Sequence, residues 1–244
     1  MAIELQPFEH DSEKDQSTGS APSTSNDQER NPHQAPTFDS ESLTNPTSAI
    51  LYLPPLLSSL PPGVEVPVTQ LERPPLLTET HLPNIDPVSL SLHKALHYFR
   101  PLSNEYASLP YAGAFNWLAL GLPLDEEREW YAVVFRSKRK AGSDSGALYE
   151  ADRLAHEEAV SNGGLIMYWY GVPDLQTGLN LATCIWQSRR HALAASSGPH
   201  HIRAMKLAAV SYDIYNLERY CLSKVKGKQG IQVEEYSVGV DVGW

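Results

Sequence analysis

Residues Leu165 to Ser188, LIMYWYGVPDLQTGLNLATCIWQS, constrain the fold more than any other stretch of this chain. Two apolar, aromatic and β-branched runs are separated by Gly171-Val172-Pro173-Asp174 and Thr177-Gly178. That pattern reads as two adjacent strands joined by a polar turn. Before the pair, Ser145 to Val160 places Leu148, Ala151, Ala155 and Ala159 on one helical face and stops at Asn162-Gly163-Gly164. After it, Arg189 to Ala195 makes a helical turn, and Gly198-Pro199 restarts a helix to about Tyr212 with His201, Met205, Ala208 and Tyr212 inward. Glu129–Arg136 and Tyr215–Ser223 read as flanking strands, and Ile231–Tyr236 as an edge strand.

The resulting β-α-β-β-α-β order predicts an α+β, ferredoxin-like plait, in which both helices lie on one face of an antiparallel sheet. Each central strand carries two alternate side-chain sets. One is Leu165, Met167, Trp169 with Leu179, Leu181, Thr183, Ile185; the other is Tyr168, Tyr170 with Ala182, Cys184, Trp186. Both are apolar, so the face opposite the helices needs a cover. The Pro/Leu arm, a second subunit or a ligand could supply it.

Composition divides the chain. Residues 1–47 hold nine acidic side chains against Lys14 and Arg30, and thus seven of the ten net negative charges. With few large apolar residues to bury, this stretch reads as a disordered acidic tail. Residues 48–104 are a Pro/Leu-rich arm that holds one helix, opened by Asp86-Pro87 and ended by Pro101. In that helix His93 and His97 share a face, without the Glu of an HExxH arrangement. Residues 105–244 form the α+β domain, with Leu109–Leu124 closing over its core.

The acidic balance argues against nucleic acid, which calls for a basic face. The basic run Arg136–Lys140 reads as a solvated loop. Cys184 and Cys221 make no CxxC and no zinc spacing, so no metal is assigned and both read as reduced thiols of an intracellular protein. Met1–Glu4 lacks the features of a secretory signal, and no run is long enough for a membrane span. The predicted location is cytoplasmic, with nuclear entry open.

The run ATCIWQSRRHA (Ala182–Ala192), followed by GPHHIRAM (Gly198–Met205), resembles the third strand and following helix of the dimeric α/β-barrel superfamily. That superfamily includes antibiotic-biosynthesis monooxygenases and haem-binding and stress-response domains. The C-terminal region through Tyr215-Asn216-Leu217-Glu218-Arg219-Tyr220 also resembles a fungal family without an assigned activity. The resemblance covers roughly residues 105–240. It implies the plait, a small-molecule site and a homodimer paired face to face.

Candidate chemistry falls in two groups. His191, His200 and His201 lie where the third strand hands over to a helix, and imidazole suits proton transfer near neutral pH or a haem ligand. Trp169, Trp186, Tyr168, Tyr170 and Tyr220, with Arg189 at the rim, would line an aromatic pocket. On the first helix, beside His156, the Glu157 and Glu158 carboxylates read as its solvated face. No GxGxxG, P-loop or GxSxG is present. The leading expectation is a small-molecule-binding or enzymatic domain with its aromatic pocket on the sheet. The alternatives are an interaction protein whose own arm fills the open face, and a haem-binding protein. Reaction and cofactor are left open by the sequence.

Overall fold

A computed structural model of the chain describes residues 31–34, 48–54, 85–237 and 242. The acidic tail, apart from 31–34, and the arm between 55 and 84, with Leu56 and Leu57, lie outside the described residues. The elements are β1 (Ile50–Tyr52), α1 (Pro87–Ala95), α2 (Tyr111–Ala114), β2 (Arg128–Arg139), α3 (Ser145–Asn162), β3 (Leu165–Tyr170), β4 (Leu179–Trp186), α4 (Arg189–Ser196), α5 (Pro199–Ser211), β5 (Tyr212–Lys224) and β6 (Gln232–Glu235).

All strands join one antiparallel sheet in the order β1-β3-β4-β2-β5-β6. The β3-β4-β2-β5 portion is the strand order of a ferredoxin-like plait. β2 and β3 flank β4, so the crossover through α3 spans an inserted strand, and α4–α5 makes the second crossover. Short β1 and β6 extend the two edges. The basic run is not a loop: β2 continues to Arg139, and Arg136 pairs with Glu218 while donating to the carbonyls of Ala107 and Leu109.

The two sets of the central strands separate largely as their alternation predicts. Tyr168, Tyr170, Ala182, Cys184 and Trp186 pack with α3 and α4, whereas Met167, Trp169, Leu181 and Ile185 face the other way. Leu165 is the exception. It packs with the first group because the β3–β4 register shifts between Leu165 and Met167, and one extra residue inverts the alternation.

The second face is filled by the chain itself. Leu53, Leu92, Leu96, Phe99, Tyr106, Tyr111, Phe115, Trp117 and Leu120 form one cluster with Trp130, Trp169, Ile185 and Leu222. α1 is fixed to β2 by a relay. The indole N–H of Trp130 donates to Ser89 Oγ (2.8 Å), and Ser89 Oγ donates to the Asp86 carboxylate (2.6 Å), which also caps the helix and pairs with Arg128 at 2.9 Å. The buried Tyr111 hydroxyl lies 2.8 Å from Thr183 Oγ1; because that hydroxyl donates to Val133 O, Tyr111 is the donor. Among the described residues, these side chains occupy the face across which the resemblance implies pairing.

Gly163 and Gly164 turn the chain from α3 into β3 with φ of +85° and +83°. A Cβ at Gly163 would meet open space, whereas one at Gly164 would run into the His191 ring. Gly163→Ala should therefore cost only the backbone term of its nearly Gly-only conformation (φ 85°, ψ 167°), about 1–3 kcal/mol. Gly164→Ala adds overpacking against that ring, about 1–3 kcal/mol more. Urea midpoints of the two variants measure the difference, and equal losses would contradict the packing argument.

Candidate functional site

Small side chains on α3 and α5 leave a gap over the aromatic floor of the sheet. Ala155 and Ala159 on α3 and Ala204 and Ala208 on α5 face Phe135, Tyr168, Tyr170, Cys184 and Trp186, and Tyr149, Tyr212 and Tyr215 close the sides. The space that remains is a cavity of about 100 Å³. Interiors are ordinarily close-packed, so a gap of this size is a built feature, and an apolar cavity of about 150 Å³ accepts benzene. Met205 and Tyr215 line the cavity and are also solvent-exposed, which places its mouth between α5 and β5.

Besides Ser137 and the tyrosines, three polar side chains reach the lining: Asp152, His156 and His201. Asp152 and His156 are one helical turn apart on α3. The Asp152 carboxylate lies 3.6 Å from His156 Nδ1, which donates to the Asp152 carbonyl at 2.9 Å. The His156 ring stands edge-on to Tyr168, with centroids 3.9 Å apart. His201 sits in the first turn of α5. Its backbone N–H donates to Glu158 Oε2 at 2.9 Å, and that of His200 to Oε1 at 3.4 Å, so a carboxylate from α3 meets the positive end of α5. Nδ1 of His201 is buried and has no hydrogen-bond partner among the described residues. Burial, then His156, holds the His201 imidazole below its ordinary pKa.

Burial also pushes the hydroxyls of Tyr168, Tyr170 and Tyr212 above the ordinary phenol range, and the Cys184 thiol up to about 12. These groups keep their protons at neutral pH. Cys184 is no nucleophile here; its sulfur accepts from the Trp186 indole at 3.0 Å.

Of the three candidate histidines, His201 alone lines the cavity. His191 is held by Ser188 Oγ at 2.8 Å and packs on Gly164, and His200 is exposed. The aromatic candidates are split by the sheet: Tyr168 and Trp186 line the cavity, whereas Trp169 and Tyr220 belong to the opposite cluster. Arg189 lies outside the lining, with its guanidinium 5.7 Å from the Tyr236 ring and its N–H on Val242 O. Sequence reasoning names His156 without giving it a role and misses Asp152, although their spacing from Tyr149 and Ala155 puts both on the inward edge of α3. Among the described residues no group of three or more His, Cys, Asp or Glu is placed to hold a metal ion, and no helix is long and apolar enough to cross a membrane.

The strand order and both crossovers define an α+β protein of the ferredoxin-like class, carrying a cavity under its helices and a self-supplied cover on its other face. The family described as PB2B2.08-like matches residues 73–235, more than half of the chain, and the chain belongs to that family. UPF0643 protein PB2B2.08 of Schizosaccharomyces pombe is 31% identical over 176 residues, covering 64% of this chain and 80% of that protein. Among solved structures, Rv0793 from Mycobacterium tuberculosis is 14% identical with a TM-score of 0.33, over 39% of this chain and 95% of its own. At3g17210 from Arabidopsis thaliana is 14% identical with a TM-score of 0.29, over 45% and 99%. A Nitrosomonas europaea protein named for antibiotic biosynthesis monooxygenases is 16% identical with a TM-score of 0.29, over 37% and 94%. The fold assignment rests on the strand order rather than on these superpositions.

Proposed function

We propose that this chain is a small-molecule-binding protein whose ligand occupies the cavity between the sheet and helices α3 and α5. The observation that carries the reading is the gap itself, ringed by aromatic side chains and edged by the unpartnered Nδ1 of His201. An apolar enclosure with a few convergent polar groups is the usual form of a small-molecule site. The volume suits a molecule of about one ring rather than a haem macrocycle. Should the bound molecule react, His201 and the Asp152–His156 pair are the groups at hand to move a proton.

Native mass spectrometry of protein purified from its own host tests this. We expect a retained small compound, absent from an Ala155→Leu variant whose added carbons fill the cavity. Benzene should raise the melting temperature of the wild type and leave that of the variant unchanged. A wild type that carries no compound and ignores benzene would overturn the reading.

A further inference from the structure

The cavity has a sign. Asp152 is the one carboxylate of its lining, which includes no lysine or arginine. Arg139 stands outside the lining, with its guanidinium 5.3 Å from the Tyr149 ring; it donates to the Tyr149 hydroxyl and offsets part of the Asp152 charge at Tyr212. After burial, Asp152 contributes to raising Tyr168, Tyr170, Tyr212, Tyr215 and Cys184 alike, so its field reaches the floor and both sides of the cavity. Seven aromatic side chains stand in the lining: Phe135, Trp186 and five tyrosines. Aromatic faces and phenol oxygens attract cations, and rings grouped around a small space are how alkylated ammonium ions are held.

We propose that the ligand of this cavity is a small organic ammonium ion, with the Asp152 carboxylate as its counter-charge and the tyrosine rings as its enclosure. This rests on the reading of the cavity as a ligand site. The physical balance favours a cation. A neutral molecule of the same shape gains only the burial of its surface. An anion would be placed beside the Asp152 carboxylate, whose neighbour at 3.6 Å is the His156 imidazole rather than a lysine or arginine. A cation leaves water but meets an opposite charge and polarisable rings, the condition under which burying charge is repaid. An ammonium ion that bears a hydrogen or a hydroxyl can also donate to the orphaned Nδ1 of His201.

Isothermal titration calorimetry of the full chain with three molecules of matched shape decides the matter: choline, 3,3-dimethylbutan-1-ol and 3,3-dimethylbutanoate. Choline should bind about tenfold more tightly than the alcohol, with the carboxylate weakest. Asp152→Asn should bring choline down to the level of the alcohol, with far-ultraviolet dichroism reporting that the variant is folded. Ala155→Leu should abolish both. Alcohol binding as tight as choline in the wild type overturns the charge preference and leaves the cavity reading standing. Choline binding that survives Ala155→Leu, or a preference that survives Asp152→Asn, overturns the placement. No binding by any of the three overturns both readings.

Discussion

Replacing Trp117 by alanine should lower the stability of the whole domain by about 3–5 kcal/mol, the range for emptying a large aromatic from a packed core. Trp117 is 2% exposed, and its ring packs against Phe99, Tyr111 and Phe115 at centroid separations of 5.0, 5.2 and 5.9 Å. Its indole N–H donates to Tyr111 O at 3.2 Å, and its carbonyl accepts from Ile231, tying the cover to the entry of β6. Domains of this size have about 5–15 kcal/mol in total, so the loss is a large share. The cluster is continuous from Phe115 to Trp169, at 5.0 Å, and onward to the plait strands. Near-ultraviolet and far-ultraviolet dichroism should therefore fall together in one urea transition at a lower midpoint. Leu118→Ala is the control, because Leu118 is 77% exposed and should shift stability by less than about 0.5 kcal/mol. A variant that loses the near-ultraviolet signal early while its helices and strands persist would show that the cover and the plait are separate units.

The plait was legible because its elements obey local rules. Alternation in β4, the Ala/Leu stripe of α3 and the glycines after it each follow from the sheet or helix period alone. Leu165 was misplaced because a register shift is set by the partner strand, which no single-strand pattern records. The cover was harder to read. α1 carried its cap in the sequence, as Asp86 and Pro87. The aromatics at 99, 106, 111, 115 and 117 follow neither period, because a segment laid across a sheet is spaced by the holes it fills. The site divides in the same way. His201, Tyr168 and Trp186 could be named as candidates from residue type. Their separation from Trp169 and Tyr220 is a matter of which sheet face has the helices. Asp152 and His156 were hidden by the acidic residues around them: Glu150 and Glu157 pair outward with Arg153, so the run looks solvated while its inner edge faces the cavity.

Stability should also fall with acidification more steeply than carboxylate titration alone requires, and His93 should be the reason. His93 is 4% exposed on α1, facing His33 and His97 at ring separations of 5.7 Å each, and His33 and His97 are 5.0 Å apart. His93 Nε2 lies 3.2 Å from Pro54 O and His33 Nδ1 lies 2.9 Å from Leu53 O, so two imidazoles clasp the residues that follow β1. Burial, then the charges of His97, His33 and Lys94 against a gain from the Pro54 carbonyl, lowers the His93 pKa to about 3. The sign follows from linkage. Above the ordinary histidine value of about 6.5 neither folded nor unfolded chain binds the proton, and the group contributes nothing to the pH dependence. Between about 6.5 and 3 the unfolded chain binds it and the folded chain does not, so stability falls by about 1.4 kcal/mol per pH unit. From pH 6.5 to 4.5 the wild type should therefore lose about 2–3 kcal/mol more than His93→Gln, whose amide can still donate to Pro54 O. Urea midpoints of the two proteins across that range give the comparison, with carboxylate effects common to both. The two curves running parallel would mean that His93 is solvated when folded, and that the clasp on β1 is not what holds Leu53 in the core.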